Sequence, residues 1–394
     1  MTDIASVELL RDSGGEAGGA QTASSALTVV HVLAPAPFGG LERVVESLTS
    51  GLGDRGHRVH VVAVVTPGPE EHPFVTSLRR AGVDVHALSL PGRAYIEERR
   101  RVMEFCRTVG ADIIHTHGYR PDVLDSGVAG RMGIPRVSTV HGFTGGGWRN
   151  RLYEKIQLRE LRRFDAVVAV ARPQMKKLEG VGIPTKRLHL LPNAWQQSET
   201  LEAGRAREEL GVPTSAFHLG WVGRLSAEKG ADLFLDAIAH LRDLPVVASI
   251  IGNGPERENL ETRAAALGIS DKVRFRGALP DAGRYFSGFD AFVLSSRTEG
   301  TPIVLFEAMA CRTPIVATRV GGVPDVVSEA EGLLVATEDP SAIAAAIRAV
   351  HDAPNPAAER ADMARHRLEN QYALSSWLDG YESIYRHAIH LRAQ

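Results

Sequence analysis

The sequence predicts an α/β protein with two doubly wound, Rossmann-like domains that face a central cleft. Three observations lead there. Short apolar runs alternate with helical patterns along nearly the whole chain, the mark of parallel sheets. The alternation pauses between Pro192 and Pro213 and starts afresh near His218. At 394 residues the chain suits two domains of roughly 150–200 residues better than one.

The elements follow in order. A first strand, Leu27 to Leu33, leads through Ala34–Phe38 and Gly39-Gly40 into a helix from Leu41 to about Gly53. That order places backbone amides at the carboxyl end of a sheet. Strands follow at Arg58–Val65, Val83–Leu88, Asp112–His115, Arg136–Val140, Ala166–Val170 and Leu188–Leu191, each separated from the next by a helix. Past the seam, strands at His218–Val222, Val246–Ile251, Val273–Phe275, Ala291–Leu294, Ile315–Thr318 and Leu333–Val335 repeat the alternation. Ala357 to Gln394 reads as helical throughout. Its aromatics Tyr372, Trp377, Tyr381 and Tyr385 suit a packing helix that closes the fold.

Composition narrows the function. A formal net charge of −2 provides no global attraction to nucleic acid or membrane, so such binding would need a local patch. Cys106 and Cys311 lie in apolar helical patterns, poor material for a disulfide framework or a metal site. No apolar run approaches the ~18–20 residues of a membrane span. Residues 1–26 are rich in Gly, Ala and Ser without an apolar core, which predicts a disordered leader rather than a signal peptide. The expected location is the cytoplasm, with peripheral contact at the inner membrane face left open.

The stretch from Phe292 to Thr318 carries the most chemistry. It reads strand, turn, helix, strand, with Thr301 as N-cap and Pro302 at the first helical position. Glu299 and Glu307 bracket that helix start, with seven residues between them. Free helix amides suit an anion, and ionised carboxylates suit hydroxyl donors. Together they describe a site for a phosphorylated sugar. Arg224 and Lys229 sit in the loop that closes the second half's first strand, where they offer charge for a diphosphate or merely a solvated surface. Gly252 and Gly254 end the next strand. The third glycine of a dinucleotide fingerprint is missing, since Arg257 stands there, and the motif follows the second strand of its domain rather than the first. The pair reads as a tight turn that lets a ligand or the other domain come close.

In the first half, His117 and His141 end neighbouring strands, where they could donate to sugar hydroxyls. His115, assigned to the opposite strand face, reads as a core histidine. A metal reading lacks a third ligand. Gly145–Gly147 suggests a mobile loop over the cleft. The helix over 148–163 carries Arg149, Arg151, Lys155, Arg159, Arg162 and Arg163 among Leu152, Ile156 and Leu158. It reads either as a solvated face or as a basic amphipathic helix for an anionic membrane.

Taken in order, these residues resemble the retaining nucleotide-sugar glycosyltransferases of family 4, with the GT-B fold. The marks are Gly39-Gly40 with Glu42-Arg43, His141-Gly142, Gly223-Arg224 through Lys229-Gly230, Gly252-x-Gly254-Pro255, and Glu299-Gly-Thr-Pro302 through Glu307-Ala308. The resemblance covers nearly everything from Leu27 onward. It implies that Glu307 binds the nucleotide ribose and Glu299 the donor sugar, with the amides of Gly300 and Thr301 nearby. Arg224 and Lys229 would neutralise the diphosphate without a metal. Gly39 and Gly40 would lie against the phosphates or acceptor, and Gly223, Gly252 and Gly254 fall in the donor-binding set. His141 would touch the transferring sugar, with His117 and Asn193 as weaker cleft candidates.

It also implies a first domain of 27–195 plus 379–394 and a second of 196–378. One departure is Ala194, where members often carry a glycine after Pro192-Asn193. The activity implied is transfer of a hexosyl unit, with retention, from a nucleoside-diphosphate sugar, UDP favoured, to a hydroxyl acceptor. That acceptor would be a glycolipid, a polysaccharide precursor or a small metabolite. No cofactor beyond the sugar nucleotide and no nucleic-acid partner is expected. A sugar-nucleotide 2-epimerase and a non-catalytic nucleotide-sugar binder stand as alternatives, and an NAD-dependent oxidoreductase lacks its fingerprint.

Overall fold

The computed structural model describes residues 26–36, 39–143, 148–197, 199–279 and 281–394, without the side chains of Trp148 and Arg149. The leader expected over 1–26 (apart from Ala26) and the Gly145–Gly147 loop lie outside the described residues.

Seven parallel strands form the first sheet: β1 (Thr28–Leu33), β2 (Arg58–Val65), β3 (Asp84–Ser89), β4 (Ile113–His117), β5 (Arg136–Val140), β6 (Ala166–Ala169) and β7 (Leu188–Leu190). Their order is β3-β2-β1-β4-β5-β6-β7. Six strands form the second: β8 (Phe217–Val222), β9 (Val246–Ile251), β10 (Val273–Gly277), β11 (Ala291–Leu294), β12 (Ile315–Thr318) and β13 (Leu333–Val335). These run β10-β9-β8-β11-β12-β13, again all parallel. The strand order reverses between β1 and β4 and between β8 and β11. A crevice opens outside the carboxyl ends at such reversals, and the loops that follow these four strands carry the candidate site.

Helices cover both faces of each sheet, so the central strands are apolar on both sides. All six residues of β1 are buried, as are all four of β11. The helix Gly40–Asp54 buries Val44, Val45, Leu48 and Leu52 at helical spacing against the first sheet.

The predicted C-terminal helix is broken at Tyr372-Ala373 into Pro354–Gln371 and Leu374–Ala393. The second of these leaves the later domain. Its Trp377, Leu378, Tyr381, Ile384, Tyr385 and Ala388 pack with Val29, Val44, Leu48, Ile113 and Val137. The break falls where the chain returns, beside the place where it first crossed. Trp195 N donates to Tyr372 O at 2.9 Å, and Trp195 and Ala373 form an isolated parallel bridge. Among the described residues no helix is long and apolar enough to cross a membrane.

Candidate active site

The loop after β11 and the helix Ile303–Ala310 hold the two glutamates. The helix begins one position later than expected. Pro302 is its N-cap in extended conformation, and Thr301 stands outside. The Thr301 hydroxyl does not cap the helix, because it donates to the carbonyl of Val170 in the first domain. Asn193 Nδ2 donates to Thr301 O at 3.3 Å, so Asn193 ties the domains together. Gly300 lies so close to the first domain that an added Cβ would fall 2.2 Å from His141 O. A side chain there would push the two cleft walls apart.

Glu299 is 5% exposed in its side chain. Lys229 Nζ donates to both its oxygens, at 2.8 and 2.9 Å, and Ser296 Oγ donates to one at 2.6 Å. Such charge-assisted bonds hold the carboxylate in one orientation. Glu307 is 7% exposed and pairs with Arg43, which comes from the first domain's leading helix. Burial pushes the Glu307 carboxyl above its ordinary range, and Arg43 pulls it partly back.

Arg224 is 60% exposed and pairs with Glu228 at 2.7 Å. Across the cleft, Glu42 accepts from Ala36 N at 2.7 Å. Burial raises the Glu42 carboxyl, with Arg224 among the groups that pull it down. The cleft therefore gathers Arg224, Lys229, Glu299 and Glu307 from one domain and Glu42 and Arg43 from the other. Sequence reading treated Glu42 and Arg43 only as a family mark. Their adjacency to Gly39-Gly40 was the sole signal that they face the cleft. Gly40 opens its helix close to the second domain, with an added Cβ 3.8 Å from the Ile303 side chain.

Gly252 and Gly254 do admit a close neighbour, and among the described residues it is the loop after β8. Added Cβ atoms would fall 1.8 Å from Gly223 O and 2.2 Å from Leu225 O. Leu225 N donates to Asn253 O at 2.9 Å, and Glu256 N donates to Leu225 O at 3.0 Å. The glycine turn thus backs the loop that carries Gly223 and Arg224.

The histidines correct two expectations. His115 and His117, two apart in β4, share one face as the pleat demands, with ring centroids 4.1 Å apart. His115 is nonetheless a core residue, bonded to Tyr385 OH and Thr139 Oγ1, each at 2.8 Å. His117 is buried and has no nitrogen left for a sugar: it contacts His31 at 2.9 Å and His141 at 3.1 Å. His141, half-buried at the end of β5, keeps Nδ1 without a partner among the described residues.

His31 also supplies the third metal-type ligand that sequence reading lacked, since His31, His115 and His117 lie within 4.8 Å of one another. As placed here, the rings are hydrogen-bonded rather than open to an ion. Five of the six ring nitrogens are already in hydrogen bonds, leaving His31 Nε2 alone. Burial lowers His31 to about 3 and His141 to about 4, and holds His115 and His117 well below their ordinary range.

Two family models match in tandem: Glycosyltransferase Family 4 over residues 38–195 and Glycosyl transferases group 1 over 203–367. The D-inositol 3-phosphate glycosyltransferase of Pseudarthrobacter chlorophenolicus is 28% identical, over 90% of this chain and 92% of the relative. The 2-deoxystreptamine N-acetyl-D-glucosaminyltransferase of Streptomyces fradiae is 29% identical, over 91% and 92%. Among solved structures, Anabaena HepE in complex with UDP-glucose aligns with a TM-score of 0.80 at 18% identity, over 91% of this chain and 99% of HepE. Sucrose-phosphate synthase from Thermosynechococcus elongatus aligns with a TM-score of 0.77 at 21% identity, over 91% and 98%. With two facing parallel sheets and both halves matched in order, the chain belongs to the group 1, family 4 glycosyltransferases and has the GT-B fold.

Proposed function

We propose that the protein moves a hexosyl unit from a UDP-sugar to a hydroxyl acceptor, with retention of anomeric configuration and without a metal. The observation that carries this reading is the Lys229–Glu299 pair at a strand end, with Arg224 on the same loop as Lys229 and the buried Glu307 in the helix that follows Glu299. Glu307 exchanges Arg43 for the ribose hydroxyls, and Glu299 holds hydroxyls of the transferring sugar. The bond from the anomeric carbon to the diphosphate breaks, and the acceptor oxygen bonds to that carbon on the same face. The departing phosphate takes the acceptor's proton. Arg224, Lys229 and the amides at the start of Ile303–Ala310 stabilise the charge building on the diphosphate.

The UDP-glucose complex of HepE supports the choice of nucleotide. The relatives' names, inositol phosphate and deoxystreptamine among them, support a small polyhydroxyl acceptor. A thermal-shift screen of UDP- and GDP-sugars, followed by NMR of the product's anomeric configuration in EDTA, tests all three parts. Selective stabilisation by GDP-sugars, an inverted product or loss of turnover in EDTA each removes one.

We also propose a peripheral membrane contact. Leu152, Tyr153 and Ile156 are exposed on the helix Trp148–Leu161 beside Arg151, Lys155 and Arg159. Cosedimentation with anionic vesicles that survives Leu152→Glu plus Ile156→Glu would rule this out.

A further inference from the structure

β1, β4 and β5 lie side by side, and each brings a histidine to the same neighbourhood: His31, His117 and, just past its strand, His141. Nδ1 of His31 lies 2.9 Å from Nε2 of His117, and Nδ1 of His117 lies 3.1 Å from Nε2 of His141. The first two rings are stacked, at 12°. Among the described residues both ends of this histidine chain are buried and unpartnered, His31 Nε2 in the core and His141 Nδ1 beside the cleft. His115 takes no part, because both its nitrogens are bonded elsewhere.

A neutral imidazole has one N–H and one lone pair. Three neutral rings joined by two hydrogen bonds can therefore be filled in only two ways, with every proton pointing one way or the other. In the first, His31 Nε2 is a bare lone pair and His141 Nδ1 bears a proton. In the second, His31 Nε2–H is buried with nothing to accept it and His141 Nδ1 is a lone pair. Either filling leaves an N–H at one end; His31 is 0% exposed whereas His141 is half-buried at the end of its strand, so only an N–H on His141 can meet an acceptor in the cleft, and the first arrangement wins.

We propose that His31 and His117 are positioning residues that hold His141 as its Nδ1–H tautomer, so that it donates a hydrogen bond to an oxygen of the donor sugar. The proposal rests on the nucleotide-sugar reading above. A neutral donor suits this place: positive charge grows on the sugar ring during transfer, and an imidazolium beside it would oppose that charge. Neither His31 nor His117 touches the substrate. Their effect passes through the proton on His141.

Imidazole 15N NMR of the full chain reads the tautomer directly. The wild type is expected to show Nδ1–H at His141. His31→Asp gives His117 an acceptor where it had a donor, which reverses the chain and moves the His141 proton to Nε2. Turnover should then fall about tenfold, the worth of one neutral hydrogen bond, with the Kd for UDP unchanged. Nε2–H at His141 in the wild type overturns the proposal, as does a reversed chain with unchanged kcat. The wild-type spectrum needs no variant, so it decides the tautomer even if His31→Asp fails to fold. Wild-type protein that binds no UDP and consumes no UDP-sugar would defeat the functional reading instead, separately from the tautomer.

Discussion

Arg43 of the first domain reaches Glu307 of the second, 264 residues away in sequence, and neutralises a carboxylate that is 7% exposed. The pair occupies the group proposed to hold ribose, so nucleotide and Arg43 compete for one carboxylate. Arg43→Ala leaves Glu307 buried without its cation and should lower the melting temperature of the free protein. Affinity for UDP should rise about fivefold to tenfold, because no partner has to be displaced. Calorimetric titration checks this. Weaker UDP binding by the variant would make Arg43 a nucleotide ligand instead of a competitor.

Arg224 lies 60% exposed on a loop and makes its ion pair with a neighbour four residues along. Arg224→Ala should therefore change stability by no more than about 0.5 kcal/mol. Turnover should drop by about two orders of magnitude or more, the loss expected when a group that stabilises developing charge is removed. Near-normal kcat with UDP-sugar would take Arg224 out of the chemistry.

Gly300 is constrained by the other domain, not by its own loop. In Gly300→Ala the new methyl meets His141 O at 2.2 Å, which the cleft can relieve only by opening. We expect a larger radius of gyration by small-angle scattering, reduced kcat and little change in the denaturant midpoint. Unchanged scattering and activity would mean that the two walls are not held this closely in solution.

The pH dependence of stability follows from the buried titratable groups. Unfolded histidines titrate near 6.5, whereas folded His31 sits at about 3, His141 at about 4, and His115 and His117 well below 6.5. Below pH 6.5 the unfolded chain therefore binds more protons, and stability falls as pH drops towards those folded values. Asp122 acts in the opposite sense. Burial raises it from 3.8 to about 6 despite bonds from Thr116, Gln157 and Ser138, so its contribution grows as pH falls through about 6. Each proton changes stability by about 1.4 kcal/mol per pH unit. Among the described residues burial lowers seven histidines (His31, His72, His115, His117, His141, His189 and His218) and raises four carboxyls (Glu42, Asp122, Asp125 and Glu307), which gives a net loss on acidification. Urea unfolding at pH 7, 6 and 5 should show the midpoint falling, and a flat or rising midpoint would contradict the buried neutral cluster.

Much of the fold was legible because buried parallel strands are continuous apolar runs. Arg58–Val65, Arg136–Val140, Val246–Ile251, Ala291–Leu294, Ile315–Thr318 and Leu333–Val335 begin and end where the residues predict. Glu299 with Lys229 was legible as two charged groups at neighbouring strand ends. The Arg43–Glu307 pair was not, since nothing local says which carboxylate a cleft arginine meets. Nor was the histidine chain. His31 sits inside a run that reads as ordinary core, and its partners are set by the strand order β1-β4-β5. At Gly252 and Gly254 the sequence shows that something comes close, and packing adds that the loop after β8 does.

The two places where the chain passes between domains lie side by side, joined by the Trp195–Tyr372 bond. A single tether would let the halves swivel about any axis. Two adjoining tethers make a door hinge, with one easy rotation and resistance to twist. A rotation about that hinge would keep Arg43 at the height of Glu307 and His141 at the height of Gly300. Alignment of the two cleft walls is thereby set by the backbone connections, before any substrate has arrived.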